Sequence, residues 1–283
     1  MADMSECVSS IYNIDATEEE KQIIYEYEKN NPIILKIRFI PHLKLKLPKF
    51  DIERALSEVN DYYQTDDFSQ LEITGIPPEE GGSYFKYEGE HPTWGGRALV
   101  NYTPSSVGTW GKDDRLLAIK NYPHLQERAA KLTTRRPLLQ DMNFYKTELW
   151  DKLPYITNYI TENICEDFSY MRRTFLFRLK SGGCLTFHNH RREPWETHEA
   201  PHDEGIIHIP LVTHPSALMY QQIGDSDWID AQHYATGEPW LFNSYMNHAV
   251  DNRKSPINRL HLTITVDFAD RKFRELIERS INE

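Results

Sequence analysis

The sequence predicts a mainly β protein with flanking helices, helix-rich in its first half and strand-rich in its second. Three observations carry this. Thr174, Leu176 and Arg178 alternate with Phe175, Phe177 and Leu179, the period of two that a strand imposes on its side chains. Apolar runs of strand length follow at 206–213, 217–222, 239–243 and 259–267. Ile156, Ile160 and Ile164, and later Phe273, Leu276, Ile277 and Ile281, keep helical spacing instead.

In chain order, residues 1–30 form an acidic leader with eight acids against two bases, more than half of the net charge of −11. Thr17 to Glu20 has the spacing of a capping box, and Ile23, Ile24 and Tyr27 make a short apolar stripe, which predicts a short helix. From Pro32, Leu35, Ile37 and Phe39 alternate with Lys36 and Arg38, predicting a strand that enters the core. A helix is expected over 51–63. The stretch 73–111 mixes Pro77, Pro78, Gly81, Gly82, Gly95 and Gly96 with Tyr84, Phe85, Tyr87, Trp94, Tyr102 and Trp110, so short strands and ordered loops are expected there. Further helices are expected at 123–131, from about Asp151 with Pro154 tolerated in the first turn, and over 271–282. No internal repeat or domain boundary stands out, so the expected organisation is the leader followed by a single domain over 31–283.

Composition excludes several function classes. The chain has 283 residues, 39% hydrophobic, and no run approaches the roughly 18 apolar residues of a bilayer span, nor does the N-terminus read as a signal peptide. No membrane partner and a cytoplasmic location are the expectations. The excess of acids leaves no broad basic field for phosphates, so no nucleic-acid partner is expected. Cys7, Cys165 and Cys184 are widely spaced and odd in number, which indicates neither a disulfide framework nor a zinc ribbon.

Chemistry concentrates in the strand-rich half. Nine of the twelve histidines (His188, His190, His198, His202, His208, His214, His233, His248 and His261) lie between 188 and 261. An antiparallel sheet converges ligands distant in sequence, and imidazole is a common metal ligand, so a metal site is plausible there. After the Gly182-Gly183 turn the chain re-enters as a strand toward His188 and His190, which then share one face. Arg259 follows His248 by 11 residues, room for a strand, a turn and a return strand.

These stretches resemble the aspartyl/asparaginyl/prolyl hydroxylase-like branch of the Fe(II)/2-oxoglutarate-dependent oxygenases. The matching features are the Leu/Gly-rich entry to His188, the run His208-Ile-Pro-Leu-Val-Thr213, Gly237-Glu-x-Trp240, His248-x-Val-x-Asn252 and Arg259-x-His261-Leu. The resemblance covers roughly 145–268, under half of the chain, and implies a double-stranded β-helix, a jelly-roll or cupin-like barrel. It implies His188 and His248 as metal ligands, and Arg259 as the fork that pairs with the distal carboxylate of 2-oxoglutarate. His208 is implied as a further contact to that cosubstrate. No catalytic side chain is expected beyond the metal centre. Expected cofactors are Fe(II) and 2-oxoglutarate, with ascorbate as a further candidate. The implied activity is hydroxylation of an aspartyl, asparaginyl or prolyl residue, or of a free amino acid.

The pattern departs from the superfamily at one ligand. Where a carboxylate is usual, His188-Asn189-His190 places His190, so the third ligand is either His190 or an acid of the following loop: Glu193, Glu196, Glu199, Asp203 or Glu204. A competing register uses His202 or His198 in place of His188. Ile206 stands where relatives often carry an arginine. Trp195, Trp228, Tyr220 and the aromatics of 84–110 are candidate pocket walls, and Arg191-Arg192 a candidate attraction for an acidic substrate. The alternative is a barrel that lost turnover and serves as a metal- or partner-binding module.

Overall fold

A computed structural model describes residues 32–37, 40–63, 94–101, 104, 106, 144–188, 204–222, 228–243 and 246–282. The elements in order are α1 (Pro32–Ile37), β1 (His42–Lys44), α2 (Ile52–Tyr63), β2 (Trp94–Asn101), β3 (Tyr145–Lys146), α3 (Pro154–Asn163), β4 (Met171–Leu179), β5 (Cys184–His188), β6 (Glu204–Val212), β7 (Leu218–Gln222), β8 (Ile229–Gln232), β9 (Trp240–Phe242), β10 (Asn247–Asp251), β11 (Arg259–Asp267) and α4 (Arg271–Ile281). The helices expected at 51–63, near 151 and at 271–282 are present, as are the strands expected at 206–213, 217–222, 239–243 and 259–267. The expected helices of the leader and of 123–131 lie outside the described residues.

The strands form two antiparallel sheets, one of seven in the order β1-β9-β6-β11-β4-β2-β3 and one of four in the order β5-β10-β7-β8. Among the described residues no ladder joins them. The architecture is therefore an open two-layer sandwich of the jelly-roll kind, and the closed barrel implied by the resemblance is not formed by the described strands.

Both faces of the central strands β4, β6 and β11 are largely buried, and alternation decides what each face meets. Leu176 of β4, Ile207, Ile209 and Leu211 of β6, and Leu260, Leu262, Ile264 and Val266 of β11 pack against Ala55 and Val59 of α2, Ile156 and Ile160 of α3, and Phe273, Leu276 and Ile277 of α4. Each helix buries residues spaced three or four apart, the stripe a helix presents to a core. Pro154 occupies the first turn of α3, where its missing N–H is no loss. Asp270 caps α4 by accepting the Phe273 N–H at 2.8 Å, while its other oxygen accepts the Glu166 and Asp167 N–H groups, tying α4 to the end of α3. On the opposite face, Phe175, Phe177, Leu179 and Phe242 meet Leu185, Met219 and Val250 of the small sheet.

One expectation is corrected. Pro32–Ile37 is a helix, not a strand. Ile33 is buried, Ile37 half-buried and Lys36 exposed, so an i, i+4 pair faces inward, and six residues were too few to separate that pattern from alternation. After the Gly182-Gly183 turn the chain re-enters as the expected strand, β5. β4 lies in the large sheet and β5 in the small one, so the chain changes sheets there, with Gly182 at φ +77°, a conformation open to glycine and strained for most residues.

The 252–258 segment makes the return crossing from β10 to β11, and the two corners are laced together. Gly182 N–H donates to Asn252 O at 3.2 Å, and Asn252 N–H to Gly183 O at 2.9 Å. The buried Asn252 amide donates to Lys180 O at 2.9 Å and Ile257 O at 3.1 Å. Ser181 adds bonds to Asn258 Oδ1 and Ser255 O. The β4–β5 and β10–β11 crossings therefore leave one shared knot, which sets where β5, β10 and β11 begin or end.

Candidate functional site

From this knot β10 runs between β5 and β7, and its register places His248 opposite His188 on one side and Gln221 on the other. Opposed positions of an antiparallel ladder belong to one face. The His248 side chain is buried, and its Nδ1 lies 2.8 Å from Met246 O. A carbonyl only accepts, so Nδ1 carries the proton and the lone pair sits on Nε2, the form of imidazole that ligates a metal. Phe242 packs edge-on against the ring at 4.6 Å. Gln221, buried beside it, donates its amide to Asn243 O at 2.9 Å.

Arg259 opens β11 on the same inner face and reaches across the sandwich. Its Nη2 is 3.0 Å from Met219 Sδ and 2.9 Å from His261 Nδ1. Met219 is paired with Val250, two residues along from His248, so the guanidinium meets the small sheet about 7 Å along the strand from that histidine. Arg259 is only 2% exposed, and Nη1 has no hydrogen-bond partner among the described residues. Burial pulls its pKa down to about 9, against which Tyr234 works to raise it, and the group stays charged at neutral pH.

The surroundings of this cation are imidazole and phenol. His261 Nδ1 is 3.4 Å from His208 Nδ1, and His261 Nε2 is buried without a partner among the described residues. Burial first, then Arg259, His208 and His233, hold the His261 pKa well below its usual value, so the ring is neutral. Tyr234 stacks on Trp240 at 4.9 Å and shares a 2.6 Å hydrogen bond with His42 Nδ1, its phenol pushed up by burial. Among the described residues no carboxylate bonds to Arg259. A buried positive group held only by neutral neighbours is expensive unless a ligand anion completes it.

The expected site residues are distributed as follows. His208 and Arg259 are brought together through His261, and Phe242 packs against both His208, at 5.2 Å, and His248. His188 is opposite His248 in register. His190, His198, His202, Glu193, Glu196, Glu199, Asp203, Trp195, Arg191 and Arg192 lie outside the described residues. Glu204 opens β6, opposite Asp267, and Ile206 pairs with Phe242. Two pocket-wall expectations are corrected. Trp228 is 65% exposed. Tyr220 pairs with Ala249, one step out of phase with His248, and so belongs to the other face of the small sheet. Among the described residues no group of three or more His, Cys, Asp or Glu converges as a metal cage. His261, Met219, Tyr234 and His42 surround the site; the sequence singled out His261 within its motif but gave it no role, and did not single out the other three. The i, i+2 spacing of Arg259 and His261 carried the signal for His261; the others have none.

No family model matches the chain, and no curated protein matches it by sequence. Similar solved structures include a prolyl hydroxylase in complex with a hypoxia inducible factor oxygen degradation domain peptide fragment, from Trichoplax adhaerens, at 12% identity, 89% of this chain, 96% of that chain and a TM-score of 0.41. HygX from Streptomyces hygroscopicus, with nickel and 2-oxoglutarate bound, shows 9% identity over 83% of this chain and 86% of that chain, with a TM-score of 0.39. A Pseudomonas putida prolyl-4-hydroxylase shows 13% identity over 83% and 97%, with a TM-score of 0.36. At these scores the overlap fixes neither activity nor ligand. No described helix is long and apolar enough to cross a membrane.

Proposed function

We propose that the chain is an Fe(II)/2-oxoglutarate-dependent dioxygenase that hydroxylates an aspartyl, asparaginyl or prolyl residue, or a free amino acid. The observation that carries the reading is Arg259, a buried cation whose Nη1 has no partner and which bonds only to neutral side chains among the described residues, about one pleat repeat from His248. The fit to a dicarboxylate rests on that orphaned donor, and the fit to a metal on the lone pair of His248 Nε2. In this reading His248, His188 and His190 hold the metal, while Arg259 and His208 hold the cosubstrate. Iron with 2-oxoglutarate and oxygen supplies oxidative hydroxylation, with succinate and carbon dioxide as co-products.

The chain's own tasks are positional and electrostatic. Met246 O keeps the His248 proton on Nδ1, so the ligating nitrogen is preset. Arg259 Nη1 donates to the far carboxylate and fixes the cosubstrate's reach. Phe175, Phe177, Phe242 and Leu185 exclude water between the sheets, which strengthens that ion pair.

The full chain supplied with Fe(II), ascorbate and 2-oxoglutarate is expected to melt higher and to release succinate. His248→Ala is expected to lose metal binding, and His190→Ala to weaken it less. Equal iron occupancy in wild type and His248→Ala sinks the reading. Metal and dicarboxylate binding without succinate release would assign the chain to the binding-module alternative.

A further inference from the structure

We infer that His261 and the Met219 thioether form a neutral clamp on Arg259, orienting the guanidinium for a ligand carboxylate while leaving its charge uncancelled. The inference rests on the dicarboxylate reading above and adds to it the positioning residue that sets affinity at that end.

An interior arginine can be fixed in place in two ways. A carboxylate partner grips it with two charge-assisted bonds but neutralises it and occupies the fork. Neutral acceptors orient it and leave the charge for a ligand. Arg259 follows the second course: Nη2 donates toward His261 Nδ1 at 2.9 Å and Met219 Sδ at 3.0 Å, and Nη1 is left over among the described residues. The backbone supplies the placement. Arg259 and His261 are two apart on β11 and share its inner face. The ladder between β11 and β6 slips between Leu260 and His261, passing from Val212 to Pro210, so Leu211 is the extra residue of a bulge. Bulges re-aim neighbouring side chains, and this one lies where the imidazole turns toward Arg259.

Burial first keeps the ring neutral, and the described groups facing it add to this. Arg259 on its own strand, His208 on β6 and His233 all repel a proton on His261, and Tyr234 is a neutral phenol. With Nδ1 accepting from Arg259, the ring proton sits on Nε2, and the clamp holds a single tautomer.

The test is calorimetric titration of 2-oxoglutarate into the Ni(II)-loaded full chain, with Ni(II) affinity measured in parallel. Asparagine places an amide oxygen near the position of Nδ1, so His261→Asn is expected to keep the dissociation constant within about threefold, and His261→Asp, which would pair with Arg259, to weaken binding at least about tenfold, with Ni(II) affinity unchanged in both. An aspartate variant that binds 2-oxoglutarate as tightly as wild type overturns the clamp, as does an asparagine variant that falls with it. Should the aspartate variant not fold, His261→Leu takes its place: a loss of about tenfold alongside an intact asparagine variant supports the clamp, and wild-type affinity in the leucine variant overturns it. Arg259→Leu separates the two levels. If that variant retains wild-type affinity, the dicarboxylate reading itself falls; if it loses binding while the His261 variants do not, only the clamp falls.

Discussion

The two faces of β11 are both buried and differ in kind. Leu260, Leu262, Ile264 and Val266 point to the helices, while Arg259, His261, Thr263 and Thr265 point to the small sheet, and all eight are buried. One face is what a stable strand needs. The other places a cation, an imidazole and two hydroxyls where side chains usually gain most by being apolar, and Thr263 is satisfied by donating to Phe175 O at 3.0 Å. Stability and chemistry are thus divided within single strands by the two-residue period, and they should separate under mutation.

The largest effect is expected on the helix face. Leu262→Ala should lower unfolding stability by about 2–5 kcal/mol in urea titrations, while the folded fraction keeps the 2-oxoglutarate affinity proposed above. A matching loss of affinity would show that the faces are coupled. Next, Asn252→Ala removes donors from Lys180 O and Ile257 O and should cost about 1–3 kcal/mol, because those carbonyls lose partners inside the knot. Hydrogen exchange should then accelerate in β5 and β10 before β4 and β6. Third is acidity. The folded His261 resists a proton that the unfolded chain accepts below pH 6.5, so its contribution is intact above that pH and lost as pH falls through it, at up to about 1.4 kcal/mol per pH unit. A His261→Leu variant should show a flatter slope in melts between pH 7 and 5. The smallest effect carries the opposite sign: Arg259→Leu should leave stability unchanged or raise it by about 1 kcal/mol in denaturant titrations, since it removes an unpaired buried charge. A large destabilisation would mean that the inner face serves the fold first.

The same period explains what could be read from sequence. β4, β6 and β11 announced themselves because each is long and alternates, and α3 and α4 because their isoleucines, leucines and phenylalanines keep helical spacing. β8, with only four residues and half-exposed alternation, gave too little signal, and β3 has two. The pairing of β5 with β10, which sets His188 opposite His248, depends on the crossings at 180–183 and 252–258, and sheet membership is not written in local pattern. Arg259 and His208 were singled out through resemblance. Tyr234 and His42 meet across 192 residues by tertiary packing alone, and nothing near either residue in the chain foretells it.

Because the Arg259 strand and the His248 strand leave the same knot into different layers, the space between the side chains they carry widens whenever the sandwich swells. A small molecule gripped at one end by the guanidinium and at the other through the imidazole would act as a brace between the layers, and its departure would be felt as loosening of the whole sandwich, not of one loop.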